Sequence, residues 1–313
     1  MTHNYIGIDG GGTKTEAVWF DETGRVRGRV LAGACNTNVL GLEASAAHIG
    51  RCVDALTGGP VDGLYVGTAG IFTADDGPML ERVLSKRFAG TRIRCENDVM
   101  NVIASATDAD RCVAGVCGTG MIVYAKEPDR VIRLDGWGYL LGLGGSGYDI
   151  GRDVIRAAVG ESEGTSAATT LTPLVEQKAG MTLERLVLEV YRHEPAFVAS
   201  FAPLAFEADA VGDAVARDIL VKNARAFAQV LNHAASVFDC GDTVVVSGGI
   251  ATNAIFGERL KQVLRPDLKL IVPSYPQVLG ACFNGARLCG IDSPTLRETL
   301  IAGYAAAQEE NHA

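Results

Sequence analysis

The fold is decided by Asp9-Gly10-Gly11-Gly12-Thr13-Lys14-Thr15, which joins an apolar run at residues 4–9 to an alternating strand pattern at residues 15–20. Consecutive glycines let a backbone approach a phosphate closely and turn its N–H groups toward it. Gly7 and Gly12 have the spacing of a P-loop, but a threonine stands where the lysine should be, and no helix follows. The stretch therefore predicts either a plain hairpin turn or a hairpin that binds phosphate through Gly10, Gly11, Gly12, Thr13 and Lys14.

The patterns around this hairpin predict an α/β fold. Strand-like runs at 4–9, 15–20 and 25–31 are joined by tight turns, which is typical of an antiparallel meander. Helix and strand patterns then alternate, and a second sequence of strand, glycine turn, strand and strand occupies residues 111–134. This weak repeat predicts two lobes with mixed sheets and a cleft between them, where ligands usually bind.

We place the boundary between the two lobes at 114/115. The N-terminal lobe would comprise residues 1–114, and the C-terminal lobe would comprise residues 115–313 with a mostly helical block at about 146–238. The last helix, from residue 294, belongs to the C-terminal lobe in this division but could pack back on the N-terminal lobe.

Composition excludes several classes of protein. The 313 residues include 28 Lys or Arg and 37 Asp or Glu, and the net charge of −9 disfavours nucleic acid and anionic membranes as partners. No run of 18 apolar residues and no signal peptide is evident, so we expect a cytoplasmic protein. None of the eight cysteines forms a C-x-x-C pair, and we expect small buried hydrophobes, not disulfides or zinc ligands.

Glu96-Asn97-Asp98 stands where a predicted strand gives way to a predicted helix. Asn and Asp are preferred at helix N-caps, which is one interpretation of this triplet. The other interpretation is that Asp98 faces the cleft as a general base and accepts a proton from a hydroxyl that attacks phosphorus. The residues alone leave both interpretations open.

Three further glycine clusters follow. Gly118-Thr119-Gly120, after the first strand of the second half, predicts a plain turn or a second phosphate hairpin. Ser247-Gly248-Gly249-Ile250, after a buried strand, predicts an ordinary turn or a surface for adenine and ribose. The G-x-G-x-x-G match at residues 142–147 is rejected as a dinucleotide fingerprint, because residues 161–180 contain no strand pattern.

In this order, the motifs resemble those of the BadF/BadG/BcrA/BcrD ATPase family, and within it the N-acetylglucosamine kinases. The resemblance covers nearly the whole chain and implies the two-lobed actin-like ATPase fold, which is related to ribonuclease H. It is carried by DGGGTKT at 9–15, GTAG at 67–70, END at 96–98, GTG at 118–120, GWG at 136–138, GSGYDIGR at 145–152 and SGGI at 247–250.

The resemblance implies an ATP-dependent kinase that phosphorylates an amino sugar and works as a homodimer. Asp98 would be the catalytic base, and Asp9 would hold Mg²⁺ through water. The two glycine hairpins would cradle the phosphates of ATP, and Gly248 and Gly249 would border its adenosine. The residues expected to bind the sugar are Asn36, Asn97, Asp98, Gly145, Ser146 and Asp149.

One departure from the family pattern concerns the sugar. The family's GDEGS reads Gly142-Leu143-Gly144-Gly145-Ser146 here, so both acidic residues are missing. In relatives that aspartate holds sugar hydroxyls, which a leucine cannot do. Either Asp149 partly compensates, or the pocket takes a different amino sugar or derivative.

Two other classes of function stay open. Some proteins of this fold are ATPase activators of radical dehydratases, which bridge an iron–sulfur cluster between subunits with paired cysteines. A non-catalytic sugar or nucleotide sensor is the other alternative.

Overall fold

The computed structural model describes residues 3–309 and divides the chain into two compact units. Unit 1 contains the chain up to Asp108 and again from Pro273, and unit 2 contains Ala109 to Val272. None of the helices within residues 3–309 has the length and apolar character needed to cross a membrane.

Unit 1 contains a mixed five-stranded sheet with the order β3-β2-β1-β4-β5. The first three strands form the predicted antiparallel meander, and β4 and β5 lie parallel to β1. Every residue of β4 is buried, as expected for a strand covered on both faces. The strands are β1 Asn4–Gly10, β2 Lys14–Asp21, β3 Val26–Gly33, β4 Gly63–Thr68 and β5 Arg92–Asn97.

Unit 2 repeats this topology. Its sheet has the order β10-β9-β6-β7-β8, with an antiparallel meander of β6, β7 and β8 and with β9 and β10 parallel to β6. The repeat inferred from the glycine and strand pattern is therefore confirmed. The strands are β6 Cys112–Cys117, β7 Met121–Glu127, β8 Arg130–Leu134, β9 Thr243–Ser247 and β10 Lys269–Ile271.

Helices cover both sheets. Those before residue 109 are α1 Thr37–Leu40, α2 Leu42–Leu56, α3 Asp76–Arg87 and α4 Val99–Ala104. Unit 2 carries α5 Gly147–Ser162, α6 Leu171–Ala179, α7 Leu183–Val190, α8 Pro195–Ala199, α9 Ala202–Ala210, α10 Ala214–Val237 and α11 Ala254–Val263. The chain then returns to unit 1 with α12 Gln277–Cys289 and α13 Pro294–Glu309.

The division between the units differs from the boundary we placed at 114/115. That position falls inside β6, whose residues pair with β7, so the chain divides before the strand begins. The second difference is α12, which belongs to unit 1 because it packs directly on β1. A Cβ on Gly7 would lie 2.6 Å from the backbone nitrogen of Cys282, so only a glycine permits this approach. The amphipathic pattern of α12 carries no information about which sheet it covers.

The last helix is also part of unit 1. Leu296, Leu300 and Tyr304 are buried in a cluster with Val18 and Phe20 of β2. The Tyr304 hydroxyl donates a 2.7 Å hydrogen bond to the Glu16 carboxylate of the same strand. Burial of both apolar and polar groups therefore fixes α13 against the meander.

The close packing of α12 on β1 is tested by Gly7→Ala. We expect the free energy of unfolding to fall by about 2–3 kcal/mol, because the added methyl group meets backbone atoms that cannot move aside. Urea denaturation followed by circular dichroism measures the change. Gly33→Ala in β3 is the matched control, since its Cβ would meet nothing within 4 Å. Equal effects of the two substitutions would contradict the packing.

Candidate functional site

The edge of the unit 1 sheet where β1, β4 and β5 end collects most of the predicted site residues. The register pairs Gly10 with Thr68 and Thr68 with Asn97, so the three parallel strands finish side by side. Because the carboxyl ends of parallel strands meet at one edge, the residues that follow them share a location. This edge holds the predicted catalytic and phosphate residues of unit 1.

The predicted hairpin joins β1 to β2, and no helix follows it. The Gly11 N–H donates to the Lys14 carbonyl at 2.9 Å and closes the turn, while Gly12, Thr13 and Lys14 are exposed at its tip. Gly10 must be a glycine, since its Cβ would lie 2.7 Å from the Thr68 hydroxyl oxygen. The hairpin form is confirmed, and its exposed tip is accessible to a ligand.

Asp9, at the end of β1, lies in a setting that disfavours its negative charge. Burial raises its pKa to about 6, an effect opposed by the hydrogen bond from Asn101 and reinforced by the charge of Asp98. The Asn101 amide donates to Oδ1 of Asp9 at 2.7 Å, and no hydrogen bond from elsewhere in residues 3–309 reaches Oδ2. A carboxylate with a spare oxygen is the donor type that Mg²⁺ prefers, so Asp9 fits the predicted metal role.

Asn101 was not predicted from the sequence. It is fully buried in α4 and also donates to the carbonyl of Gly67 at 3.3 Å, so it links the ends of β1 and β4. Its Oδ1 has no hydrogen-bond partner among the described residues. The available signal was a single amide in the otherwise apolar stretch Val-Met-Asn-Val-Ile-Ala.

Asp98 occupies the N-cap position of α4, yet its side chain makes no capping hydrogen bond to the helix. Asn97 does this work instead, because its Oδ1 accepts the Val99 N–H at 3.0 Å. Burial raises the pKa of Asp98 to about 6, partly offset by the nearby N–H groups of Val99 and Asp98 itself. The carboxylate is thus left available and more basic than an ordinary aspartate.

Asn97 and Asn36, both predicted to bind sugar, are largely engaged in local structure. The Asn97 amide also donates to the Ile71 carbonyl at 2.8 Å, so both ends of its side chain are bonded to backbone. Asn36 caps α1 by accepting the Asn38 N–H at 3.0 Å, and it pairs with Ala69 beside the end of β4. Both residues shape the edge at which Asp98 lies.

In unit 2 the predicted second hairpin joins β6 to β7. Its Gly118 N–H donates to the Gly120 carbonyl at 2.9 Å. The carbonyls of Gly118 and Thr119 accept N–H groups from the first turn of α5, at 2.7 Å from Gly147 and 3.0 Å from Tyr148. These bonds fix the hairpin to the helix, and Thr119 and Gly120 stay exposed.

Gly145, Ser146 and Asp149 build the start of α5. The Ser146 hydroxyl oxygen accepts the Asp149 N–H at 3.3 Å, and Oδ2 of Asp149 accepts the Ser146 N–H at 3.1 Å, which forms a capping box. The Ser146 hydroxyl also donates to Oδ2 of Asp149 at 2.6 Å. Oδ1 of Asp149 pairs with Arg152 at 3.0 Å. Gly145 packs on α10, where a Cβ would lie 2.8 Å from the Asn223 carbonyl oxygen. Asp149 is therefore committed to the helix cap, which leaves little of it for a sugar.

The turn after β9 contains Gly248 and Gly249. Gly248 has φ 93°, and a Cβ there would lie 2.4 Å from the Cys117 carbonyl oxygen. That carbonyl accepts the N–H groups of Ile250 and Ala251 at 3.1 and 3.2 Å, which ties the turn to the end of β6. Gly249 is exposed with open space around it. The turn thus presents a bare backbone surface beside the second hairpin.

Two cavities lie within unit 2. The smaller has a volume of about 180 Å³ and touches the second hairpin and the start of α5. It is lined by Thr119, Gly120, Met121, Asp135, Gly138, Tyr139, Gly142, Gly144, Ser146, Tyr148, Asp149 and Pro195. The larger, about 1320 Å³, runs along α5, α7 and α10 and contains none of the predicted site residues. The smaller cavity is therefore the candidate ligand pocket of this unit.

The cysteines are free thiols, and all but Cys289 are buried. Burial raises the pKa of Cys35, Cys52, Cys95 and the other thiols, which keeps them protonated. Within the described range, His, Cys, Asp and Glu side chains form no cluster of three or more suited to a metal. The predicted buried state is confirmed for seven of the eight, and such thiols suit packing better than a cluster shared between subunits.

Comparison with known sequences gives one family and two related kinases. The model of the BadF/BadG/BcrA/BcrD ATPase family matches residues 6–290. The N-acetyl-D-glucosamine kinase of Dictyostelium discoideum is 29% identical over 250 residues, which are 73% of this chain and 78% of that protein. The N-acetylmuramic acid/N-acetylglucosamine kinase of Clostridium acetobutylicum is 27% identical over 264 residues, 79% of this chain and 85% of that one.

Solved structures share the fold. A candidate N-acetylglucosamine kinase from Chromobacterium violaceum has a TM-score of 0.68 at 22% identity, and the match covers 93% of this chain and 99% of that protein's chain. A ROK family glucokinase from Streptomyces griseus, in complex with glucose and AMPPNP, has a TM-score of 0.56 at 19% identity, with coverage of 91% and 99%. These similarities confirm the predicted actin-like ATPase fold with mixed sheets.

The effect of burial on the Asp98 carboxylate is tested by the free energy of unfolding of Asp98→Asn as a function of pH. A carboxyl group whose pKa is about 6 in the folded state, against an ordinary value of 3.8, holds its proton more tightly when folded. Its contribution to stability is complete below pH 4 and is lost as the pH rises through 6. The asparagine variant should therefore gain about 2 kcal/mol on the wild type between pH 4 and pH 7.

Urea unfolding at half-unit pH steps measures this gain. Asp110→Asn, at an exposed position, is the control and should stay within about 0.5 kcal/mol of the wild type throughout. A difference between Asp98→Asn and wild type that does not vary with pH would show that Asp98 is not destabilised by burial.

Proposed function

Because the chain belongs to the BadF/BadG/BcrA/BcrD ATPase family, we propose that it is a kinase that transfers phosphate from ATP to an amino sugar. The single observation that carries the proposal is the state of Asp98. Its carboxylate stands at a strand–helix junction, makes no capping hydrogen bond, has a raised pKa and lies at the edge that bears a glycine hairpin. Such a group is suited to remove a proton from a hydroxyl.

The pKa of about 6 suits a base that works near neutral pH. At pH 7 Asp98 is mostly ionised, yet it is a stronger base than an exposed aspartate. It would accept the hydroxyl proton of the acceptor as that oxygen attacks the γ-phosphorus of ATP. Phosphoryl transfer needs little covalent help from the protein, so positioning and charge neutralisation supply most of the rate.

The glycine hairpins are the proposed holders of ATP. In unit 1, the hairpin from Gly10 to Lys14 would face the phosphates with the backbone N–H groups of its exposed tip and with the Lys14 ammonium group. In unit 2, the hairpin from Gly118 to Gly120 would add the N–H groups of its exposed residues Thr119 and Gly120, and Gly248 and Gly249 would border the adenosine. When bound, Mg²⁺ would neutralise charge on the triphosphate. Asp9 would hold it through a water molecule, since Oδ2 is unpaired within the described range while Asn101 fixes Oδ1.

The names of the curated relatives support an amino sugar as acceptor. Both are N-acetylglucosamine kinases, and one also acts on N-acetylmuramic acid. We propose N-acetylglucosamine, glucosamine or a related N-acetylhexosamine as the substrate here, in a cytoplasmic homodimer. Asn36, Asn97, Gly145, Ser146 and Asp149 would shape the acceptor site chiefly by fixing backbone around it.

An ATP-coupled assay across glucosamine, N-acetylglucosamine, N-acetylmuramic acid, N-acetylmannosamine and glucose tests the function. We expect phosphorylation of at least one amino sugar in preference to glucose. Asp98→Asn should lower kcat by a factor of at least about 100 with that sugar, since general base catalysis contributes 10²–10⁴-fold. ATP binding, measured by calorimetry, should change less than threefold.

Asp110→Asn replaces an exposed carboxylate and serves as the matched control, with kcat close to that of the wild type. Retention of more than a tenth of wild-type turnover by Asp98→Asn would refute the base assignment. Binding of a sugar and ATP without any phosphorylated product would favour a sensor over a kinase.

A further inference from the structure

Asp135 has an unusual backbone conformation. It follows β8 directly and has φ 56°, and it is the sole non-glycine residue with positive φ among residues 3–309. Aspartate tolerates the left-handed region better than most residues, but the conformation still has a cost that glycine would avoid. The residue is only 8% exposed. A costly conformation that persists at a buried carboxylate points to a role for that carboxylate.

The carboxylate of Asp135 fastens the loop of residues 136–143. Its Oδ2 accepts the Leu143 N–H at 2.8 Å, which closes the loop, and its Oδ1 accepts the Trp137 N–H at a long 3.4 Å. Arg133 braces the same turn by donating to the Gly136 carbonyl at 2.6 Å, with its guanidinium 4.4 Å from the centre of the Trp137 ring. One oxygen of Asp135 is thus well bonded, and the other retains most of its accepting capacity.

Asp135 also lines the 180 Å³ pocket beside the second glycine hairpin. The other carboxylate in that lining belongs to Asp149, whose two oxygens are bonded to Ser146 and Arg152. Residues 142–146, Gly-Leu-Gly-Gly-Ser, supply no acidic side chain to the pocket. Asp135 is therefore the lining carboxylate with an oxygen to spare for a ligand.

We propose that Asp135 determines the acceptor specificity of the pocket by accepting a hydrogen bond from a sugar hydroxyl through Oδ1 while Oδ2 holds the loop. A carboxylate is a strong acceptor and hydroxyl groups are the donors that a sugar offers in abundance. The substrate class is then a sugar that presents a free hydroxyl at this point. The inference rests on the proposed kinase function.

Asp135→Gly and Asp135→Asn distinguish the effect of losing the carboxylate from the effect of the backbone conformation. Glycine accepts φ 56° without strain and removes both oxygens, whereas asparagine keeps one oxygen for the Leu143 N–H and loses the charge. We expect the KM for the acceptor to rise about 10- to 100-fold in the glycine variant, as for a lost hydrogen bond to a charged group. The asparagine variant should recover part of this loss, and the KM for ATP should change less than twofold in both.

Monodeoxy analogues of the acceptor distinguish direct contact from loop positioning. With the wild type, removal of one particular hydroxyl should lower kcat/KM about tenfold or more, and that penalty should disappear in Asp135→Gly. Asp129→Asn, an exposed aspartate in the turn between β7 and β8, is the control and should behave as the wild type.

Two outcomes overturn the inference alone. One is a KM for the acceptor in Asp135→Gly that stays within twofold of the wild-type value. The other is a loss of kcat/KM with each monodeoxy analogue that is the same in Asp135→Gly as in the wild type. A wild-type protein that phosphorylates no sugar would overturn the proposed function, and this inference with it.

Discussion

The parallel pairing of β1 with β4 and of β4 with β5 is the constraint on which the unit 1 site depends. Backbone hydrogen bonds in this register make Gly10, Thr68 and Asn97 neighbours although they are far apart in the chain. Gly10 and Gly67 leave room for the side chains of Thr68 and Asn101, and Asn101 bridges the ends of β1 and β4 from α4. The pairing of these strands therefore places three features at one edge of the sheet: the glycine hairpin, the Asp9 carboxylate with its spare oxygen, and the candidate base Asp98.

Within each unit, some polar side chains near the candidate site are used to cap helices, and others stay available to bind a ligand. Asn97 caps the first turn of α4 and so releases Asp98, whose burial then raises its pKa. In unit 2 the aspartate itself has the structural role, since the Asp149 carboxylate caps α5 and pairs with Arg152. The carboxylate left over is Asp135, which is held in a left-handed conformation by the loop it closes.

Much of the fold could be predicted, because glycine hairpins and strand alternation are local signals. They placed both meanders, the strand from Thr243 to Ser247 and the hairpin at residues 11–14. The unit to which α12 belongs could not be predicted, since that depends on the close approach of Ala281 and Cys282 to Gly7, which is far away in the chain. Asn101 was missed for the same reason, since its partners Asp9 and Gly67 are distant in the chain. Asp135 was missed because its bonds to Trp137 and Leu143 depend on a left-handed backbone conformation that no glycine marks at that position. The sequence also did not show that Asp149 forms a capping box, because a capping box and a ligand-binding carboxylate give the same residue pattern.

The pH dependence of kcat/KM for the sugar acceptor tests the central claim most directly, because this ratio reports the ionisation of groups in the free enzyme. If Asp98 is the base, kcat/KM measured at saturating ATP should fall on acidification with an apparent pKa near 6, since the protonated carboxyl cannot accept the hydroxyl proton. A profile that stays flat from pH 7.5 down to about pH 5, while the protein remains folded, would contradict the account.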